Sequence, residues 1–259
     1  MYFKHISRIH VIVLFLTSTI VSVNLVEAQQ FVTDGLVAFY TLDKADIEAG
    51  VVKDVSGNGN DAKIMGTNSP SIVTAKIGQS LQLDGKKVYV EIPQLGEMEQ
   101  ASVECWALRT SFDGENAGVI STFMWEAGKV HFKFQKHQNI TVHKHDGVKL
   151  GEAFKFDVKT WYHIIYTCDT KADKLSLYIN GKWIQDGKAG KTPQNMDERR
   201  IGSEHDGRFL HGIVDEVRIY NRILNEKEAL QNFKATNNSM VVEASDKLAV
   251  IWASIKSER

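Results

Sequence analysis

The sequence predicts an all-β fold, a two-sheet antiparallel β-sandwich. Three observations carry that expectation. Short segments of alternating apolar and polar residues recur along the chain, Gly, Asn and Asp punctuate them at regular spacing, and only two stretches show helical periodicity. The length of 259 residues suits one sandwich domain, and an apolar content of 43% is ample for its core. A formal net charge of −1, with no basic patch, argues against nucleic acid as a partner.

The N-terminus reads as separate from the fold. Lys4 and Arg8 precede an apolar run, Val11 to Val23, and Val26-Glu27-Ala28 offers small residues where a signal peptidase reads. Residues 1–28 are therefore expected to be a secretory signal, with a retained anchor as the alternative. No later segment is long and apolar enough for a transmembrane helix.

The domain is expected over residues 29–236. Val37, Phe39 and Thr41 alternate with Ala38, Tyr40 and Leu42, a first strand apolar on both faces and so sandwiched. Asp54 to Asp61 is a Gly/Asn turn cluster. Ser80–Leu83 and Val88–Ile92 read as strands joined by an Asp84-Gly85 hairpin turn. Ala101–Leu108, Val119–Trp125, Lys129–Gln135 and Asn139–His145 continue the meander. Trp161–Cys168 and Lys174–Asn180 follow, and Asn180-Gly181 is a two-residue hairpin turn into Lys182-Trp183-Ile184. Arg199–Gly202 precedes a closing strand over Gly212–Tyr220. Asn225 with Glu228 fits a capped short helix. Past a linker at Asn237, Leu248, Ile251, Trp252 and Ile255 form one helical face, so residues 237–259 are expected to be a linker and an amphipathic C-terminal helix. That helix would pack on its own domain or dock on a partner or another copy.

In the closing strand Ile213, Asp215, Val217 and Ile219 share one parity, which places Asp215 on the apolar face. A carboxylate there needs a hydrogen bond, an ion pair or a metal.

Asp-Glu-Val-Arg-Ile-Tyr-Asn-Arg-Ile-Leu at 215–224, followed by a short helix, resembles the closing strand of the laminin-G-like jelly-roll family, within the concanavalin A-like lectin/glucanase group. Gly35–Asp43, Asp54–Asp61, Leu81–Gly85, Val88–Pro93, Trp161–His163 and Leu177–Gly181 agree with it in order, over about residues 35–233. The resemblance implies a jelly roll, which hosts lectins, adhesion modules and glycosidases alike. It also implies that a cation ties the N-terminal and closing strands. The oxygen ligands would be Asp43, Asp54, Asn60 and Asp215, and the ion Ca²⁺ in a mainly structural role. Pentraxins, which share this fold, link two strands by a disulfide. Cys105 and Cys168 sit at different offsets and read as two buried thiols rather than a bridge.

Three other constellations in the sequence bear on function. Glucanases of this fold carry Glu-x-Asp-x-x-Glu on one strand. The nearest approach is Glu204-His205-Asp206-Gly207-Arg208-Phe209, which lacks the second Glu, while Glu97, Glu99 and Glu104 stand apart from it. His131, His137, His143, His145 and His163 crowd the middle of the chain, and His143 with His145 on one strand face could bind zinc. Trp106 and Trp161 read as core, whereas Trp125 and Trp183, next to turns, are the candidate sugar-stacking residues. The expectation is a secreted, non-catalytic module that binds a glycan or an extracellular protein. A laminarinase-like hydrolase and a purely structural envelope or matrix module are the alternatives.

Overall fold

The computed structural model describes residues 30–113, 115–205 and 207–235. The expected signal segment and the C-terminal amphipathic helix lie outside the described residues.

The fold is a β-sandwich. One layer is an eight-stranded antiparallel sheet in the order Lys182–Gly187, Lys174–Ile179, Tyr162–Asp169, Gln100–Arg109, His211–Tyr220, Gln79–Asp84 and Ile72–Thr74, with Leu36–Tyr40 also paired to His211–Tyr220. The second layer has two parts. Ile120–Thr122, Arg199–Ile201, Tyr89–Glu91, Ala62–Met65, Val51–Val52 and Ile47–Glu48 form a six-stranded sheet, and Ala117–Gly118, Val130–Gln135, Asn139–Lys144 and Lys149–Leu150 a four-stranded one. Ser121 stitches the two parts together: its hydroxyl donates to Phe132 O and accepts from Phe132 N, standing in for backbone groups of the ladder. Val103, Cys105, Ala107, Ile164 and Tyr166 from the first layer meet Val90, Phe132, Phe134, Ile140 and Val142 from the second in one core.

The alternation in Gln100–Arg109 is regular, with odd-numbered apolar residues in the core and Glu104 and Trp106 on the other face. The closing strand is different. Its pairing with Gln100–Arg109 slips between Asp215 and Arg218, and Glu216 adopts a left-handed φ of 55°. This bulge changes the strand's phase. Val214, Val217 and Ile219 face the core, so Asp215 lies on the opposite face from the one strict parity assigns it. It sits opposite Trp106 and is nonetheless fully buried.

Two other readings change. Gln79–Asp84 and Tyr89–Glu91 belong to different layers, so Asp84-Gly85 is a crossover rather than a hairpin turn. Asp84 Oδ1 organises it by accepting from the backbone of Lys86, Lys87 and Val88. The expected single strand Val119–Trp125 is instead two short ones, Ala117–Gly118 and Ile120–Thr122, in separate sheets. Asn180-Gly181 does form the expected turn, with φ of 52° and 72° and Ile179 paired to Lys182.

A helix over residues 226–235 follows the closing strand. Asn225 Oδ1 accepts from the N–H groups of Lys227 and Glu228, while Glu228 Oε2 accepts from Asn225 N, a reciprocal capping box. With the segment around Val32, the helix covers the outer face of the eight-stranded sheet, burying Ile165, Tyr178, Tyr220, Leu224 and Ala229. Under it Glu104 accepts from Arg218 (3.1 Å) and Asn232 and pairs with His163 Nε2 (2.9 Å).

Candidate functional site

The structure divides the four expected metal ligands between two places. Asp54 and Asn60 stay in their turn. Asp54 Oδ1 accepts from Phe39 N and Ser56 N, its Oδ2 accepts from Asn60 N, and the Asn60 amide donates to Val37 O. Asp54 thus closes the loop with backbone partners, the metal-free role that a buried turn carboxylate commonly fills. The expected four-ligand set is corrected accordingly: Asp43, Asp54 and Asp215 do not bring three ligand atoms within 4.8 Å of one another.

Asp43 and Asp215 meet elsewhere, at a gap in the sheet. The closing strand shares one edge between Gln79–Asp84, paired at 211–213, and Leu36–Tyr40, paired at 217–220. The bulge falls between them. The turn ahead of Gln79 fills the gap: Ile77 N donates to Asp215 Oδ2 (2.8 Å) and Gln79 N to Asp43 Oδ1 (2.6 Å). Gly78 takes a left-handed φ of 56° here, which favours glycine, and a Cβ would lie 2.7 Å from Asp43 Oδ1. Asp215 Oδ1 is buried without a partner. Burial, then the charge of Glu216, with Asp43 adding to it, pushes the Asp215 carboxyl up to about 8. Two carboxylates thus flank this turn, each accepting from its backbone, fewer oxygens than the six to eight a hard cation takes.

The second constellation lies on the outer face of the four-stranded sheet. The alternation of Val130–Gln135 and Asn139–Lys144 turns Val130, Phe132, Phe134, Ile140 and Val142 into the core. His131 and Lys133 point outward, with His143 and Thr141 directly across from them. A loop over residues 202–210 folds onto this face. Gly118 allows its close approach, because a Cβ there would lie 2.3 Å from the Ser203 carbonyl carbon. Gly118 N and Arg208 O then hydrogen-bond at 2.9 Å. His205 and Arg208 both take left-handed φ, 57° and 55°, a conformation costly for non-glycine residues and frequent where side chains are held for function.

The result is a pocket of about 250 Å³ lined by Trp125, His131, Lys133, His143, His205 and Arg208. Behind two of these residues Glu204 is fully buried, accepting from Lys133 Nζ (2.9 Å) and from Arg208. Half-buried Trp125 stacks on His131 at 4.2 Å between centroids, with His143 at 4.8 Å and His145 at 5.0 Å. Burial, then the charges of Lys133, His205 and Arg208, pushes His131 down to about 2, so its ring is neutral at pH 7. His143 is lowered by burial and by Lys133 and Lys149. Two buried atoms in this cluster lack a partner, His131 Nε2 and Glu204 Oε2. Such atoms forfeit about 1–3 kcal/mol each until something binds them.

A larger groove of about 680 Å³ runs beside Val51, Ile64 and Ile72. Its polar side chains, Lys44, Lys63, Thr67 and Asn68, are none of them buried or convergent, so it offers less chemistry than the smaller pocket.

The remaining candidates separate. Trp183 is 51% exposed on the edge strand Lys182–Gly187 and donates to Asp186, so the two tryptophans form no common platform. His163 is engaged with Glu104 beneath the helix, and Glu99 pairs with Lys171 at the surface. Cys105 and Cys168 are free, buried and on adjacent strands, but Cys105 is paired to Ile164 and Cys168 to Ala101. Four residues of strand, about 13 Å, separate them, beyond disulfide reach. The His131–Glu204–His205 association was not apparent in the sequence. The weak signal for it was the density of histidines and the incomplete glucanase-like motif at Glu204.

A family model described as the concanavalin A-like lectin/glucanases superfamily matches residues 84–229. The chain belongs to this superfamily. Both the pocket and the closing strand fall within the matched span. No curated protein matches the chain. Among solved structures, domain 4 of AbnA, a GH43 extracellular arabinanase from Geobacillus stearothermophilus, solved in complex with arabinotriose, superposes with a TM-score of 0.61 at 18% identity, covering 76% of this chain and 97% of that one. The binding domain of Paraclostridial Mosquitocidal Protein 1 gives 0.62 at 16%, covering 78% of this chain and 52% of that one. Trypanosoma rangeli sialidase in complex with sialic acid gives 0.60 at 15%, covering 79% of this chain and 33% of that one. At these identities the likeness to the solved structures shows the fold alone. Among the described residues, no helix is long and apolar enough to cross a membrane.

Proposed function

We propose that the chain is an extracellular, non-catalytic binding module that recognises a glycan at the Trp125 pocket. The observation that carries this reading is the composition of that pocket. An aromatic face stands beside a buried carboxylate and the basic side chains of Lys133 and Arg208. Sugars are held by this pairing, with C–H faces on an aromatic ring and hydroxyls donating to a carboxylate or accepting from Arg and Lys. The arabinotriose complex of a similar domain supports a sugar. A similar structure described as the receptor binding domain of botulinum neurotoxin C/D mosaic serotype supports a second reading, a receptor.

The non-catalytic part rests on Glu204. Retaining or inverting hydrolysis needs two carboxyl groups about 5–10 Å apart, one of them able to give a proton. Glu204 is engaged by Lys133 and Arg208, and no carboxyl is among the described residues lining the pocket.

Calcium enters the reading at Asp43 and Asp215, where hard oxygen donors and an orphaned buried Oδ1 gather at the bulge. The ion would supply charge compensation there and tie the first and closing strands together.

A glycan array probed with the full chain, Trp125→Ala and Trp183→Ala tests the binding reading. Signal on a defined glycan class that is lost in Trp125→Ala and kept in Trp183→Ala is expected. Equal signal for all three, or release of reducing sugar abolished by Glu204→Gln, overturns it.

A further inference from the structure

We propose that His131, Glu204 and His205 form a binding site for a zinc-class transition-metal ion on the outer face of the four-stranded sheet. It is distinct from the carboxylate pair at Asp43 and Asp215, and it stands whether or not a glycan binds nearby.

Among the described residues, these three are the set whose ligand atoms all lie within 4.8 Å of one another. His131 Nδ1 is 3.4 Å from Glu204 Oε1, and His205 Nε2 is 4.0 Å from the same oxygen. A tetrahedral ion bonded at about 2.0–2.1 Å to N and O places its donors about 3.3–3.4 Å apart, so small side-chain adjustments close the site. The sources are independent, with His131 from a strand and Glu204 and His205 from the loop folded over it.

His205 is oriented as metal-binding imidazoles usually are. Its Nδ1 donates to Phe123 O at 2.8 Å, which leaves the Nε2 lone pair facing Glu204. His131 is 3% exposed and its Nε2 has no partner, and Glu204 is fully buried with Oε2 likewise unpartnered. The ligating atoms are His131 Nδ1 and Glu204 Oε1; an ion held by both carboxylate oxygens would also give Glu204 Oε2 the partner it lacks, whereas His131 Nε2 lies outside the ligand set. Two imidazoles and one carboxylate suit zinc, copper or nickel better than calcium or magnesium. Three protein donors also leave a position open beside Trp125 and His143 for water or an oxygen of a bound molecule.

Charge opposes the ion. Lys133 and Arg208 already hold Glu204, so metal entry shares or displaces their contacts, and Lys149 adds to the positive field. Glu152 acts in the opposite sense on His143. The site should therefore bind more weakly than a closed structural zinc site, and Arg208→Gln should tighten it.

The test is titration of the untagged full chain with Zn²⁺ by calorimetry, and with Co²⁺ followed by its visible d–d absorption, in millimolar Ca²⁺ to occupy hard-donor sites. The expected result is one equivalent bound, weakened about 100-fold or more in His205→Ala and in Glu204→Gln, and unchanged in Asp215→Asn. Circular dichroism establishes that each variant is folded, and His205→Gln, which keeps ring-sized bulk, serves if the alanine variant is not. Absence of saturable binding in the folded wild-type chain overturns the proposal, as does binding that survives both His205 and Glu204 substitutions. A wild-type metal site with no glycan signal on the array would uphold the metal site and dismiss the sugar, so the two readings fail separately.

Discussion

Asp215 shows how one side chain can couple pH, metal and stability. Burial, Glu216 and Asp43 raise its folded pKa to about 8 from an ordinary 3.8. The folded chain then holds a proton that the unfolded chain has already released. In chelator, the contribution is complete below about pH 4 and falls progressively as pH rises, to be lost by about pH 8. Calcium needs the ionised carboxylate, so it should oppose this fall and raise the melting temperature most at the alkaline end. At 100 times its dissociation constant a ligand adds about 2.7 kcal/mol. Melting curves from pH 5 to 9, with EDTA or millimolar calcium, check this. Asp215→Asn should abolish both the slope and the calcium response, and a wild-type curve indifferent to pH and calcium would contradict it. The sequence drew attention to Asp215 as an anomalous carboxylate but misplaced its face. The bulge that turns it outward depends on a left-handed Glu216, for which side-chain alternation gives no signal.

Secondary elements were legible where local chemistry decides them. Asn180-Gly181 takes positive φ at both positions because few other residues do so cheaply. Gly181→Ala should cost about 1–2 kcal/mol, because it forces φ of +72° on a Cβ-bearing residue and places that Cβ 3.0 Å from Phe233 Cβ. The Asn225 cap was equally readable, and Asn225→Ala should cost about 1 kcal/mol by chemical denaturation. Asp84-Gly85 carried the same kind of signal and yet joins two layers. A turn dipeptide specifies a reversal of the chain, but which strands then pair is settled by where their apolar faces are buried. Alternation over Val119–Trp125 predicts one strand, and the structure differs for a related reason: Ser121 replaces backbone groups with its hydroxyl, and Ala117–Gly118 and Ile120–Thr122 go to different sheets.

At the scale of the molecule, the ordered family motifs carried the jelly roll, and alternation assigned most of the core. What the sequence left unread are associations across distant segments. His131 and His205 meet only because a loop over residues 202–210 folds onto the Val130–Gln135 strand. Glu104, His163, Arg218 and Asn232 meet only beneath the helix. That buried network holds the helix and first segment to the sheet. Burial alone would raise the Glu104 carboxyl, but His163, Arg218 and Asn232 outweigh it and hold it below the usual range. Glu104→Ala leaves Arg218 with Glu216 alone and removes the buried partner of His163 and Asn232, and should cost about 3–5 kcal/mol, read as a shifted denaturation midpoint without change in the glycan signal. Loss of glycan binding in a folded Glu104→Ala chain would mean that the two faces of the sandwich are coupled.

In the proposed function, ligand binds on the outer face of the four-stranded sheet, between Trp125 and the loop over residues 202–210. Amide hydrogen exchange of the full chain, with and without the glycan class identified on the array, tests it most directly. Protection is predicted to rise in Val130–Gln135, Asn139–Lys144 and the 202–210 loop, and to stay unchanged around Ile77–Gln79 and on the edge strand bearing Trp183. Protection confined to the Asp43–Asp215 gap or to the Trp183 edge, with the Trp125 face unaffected, would contradict it.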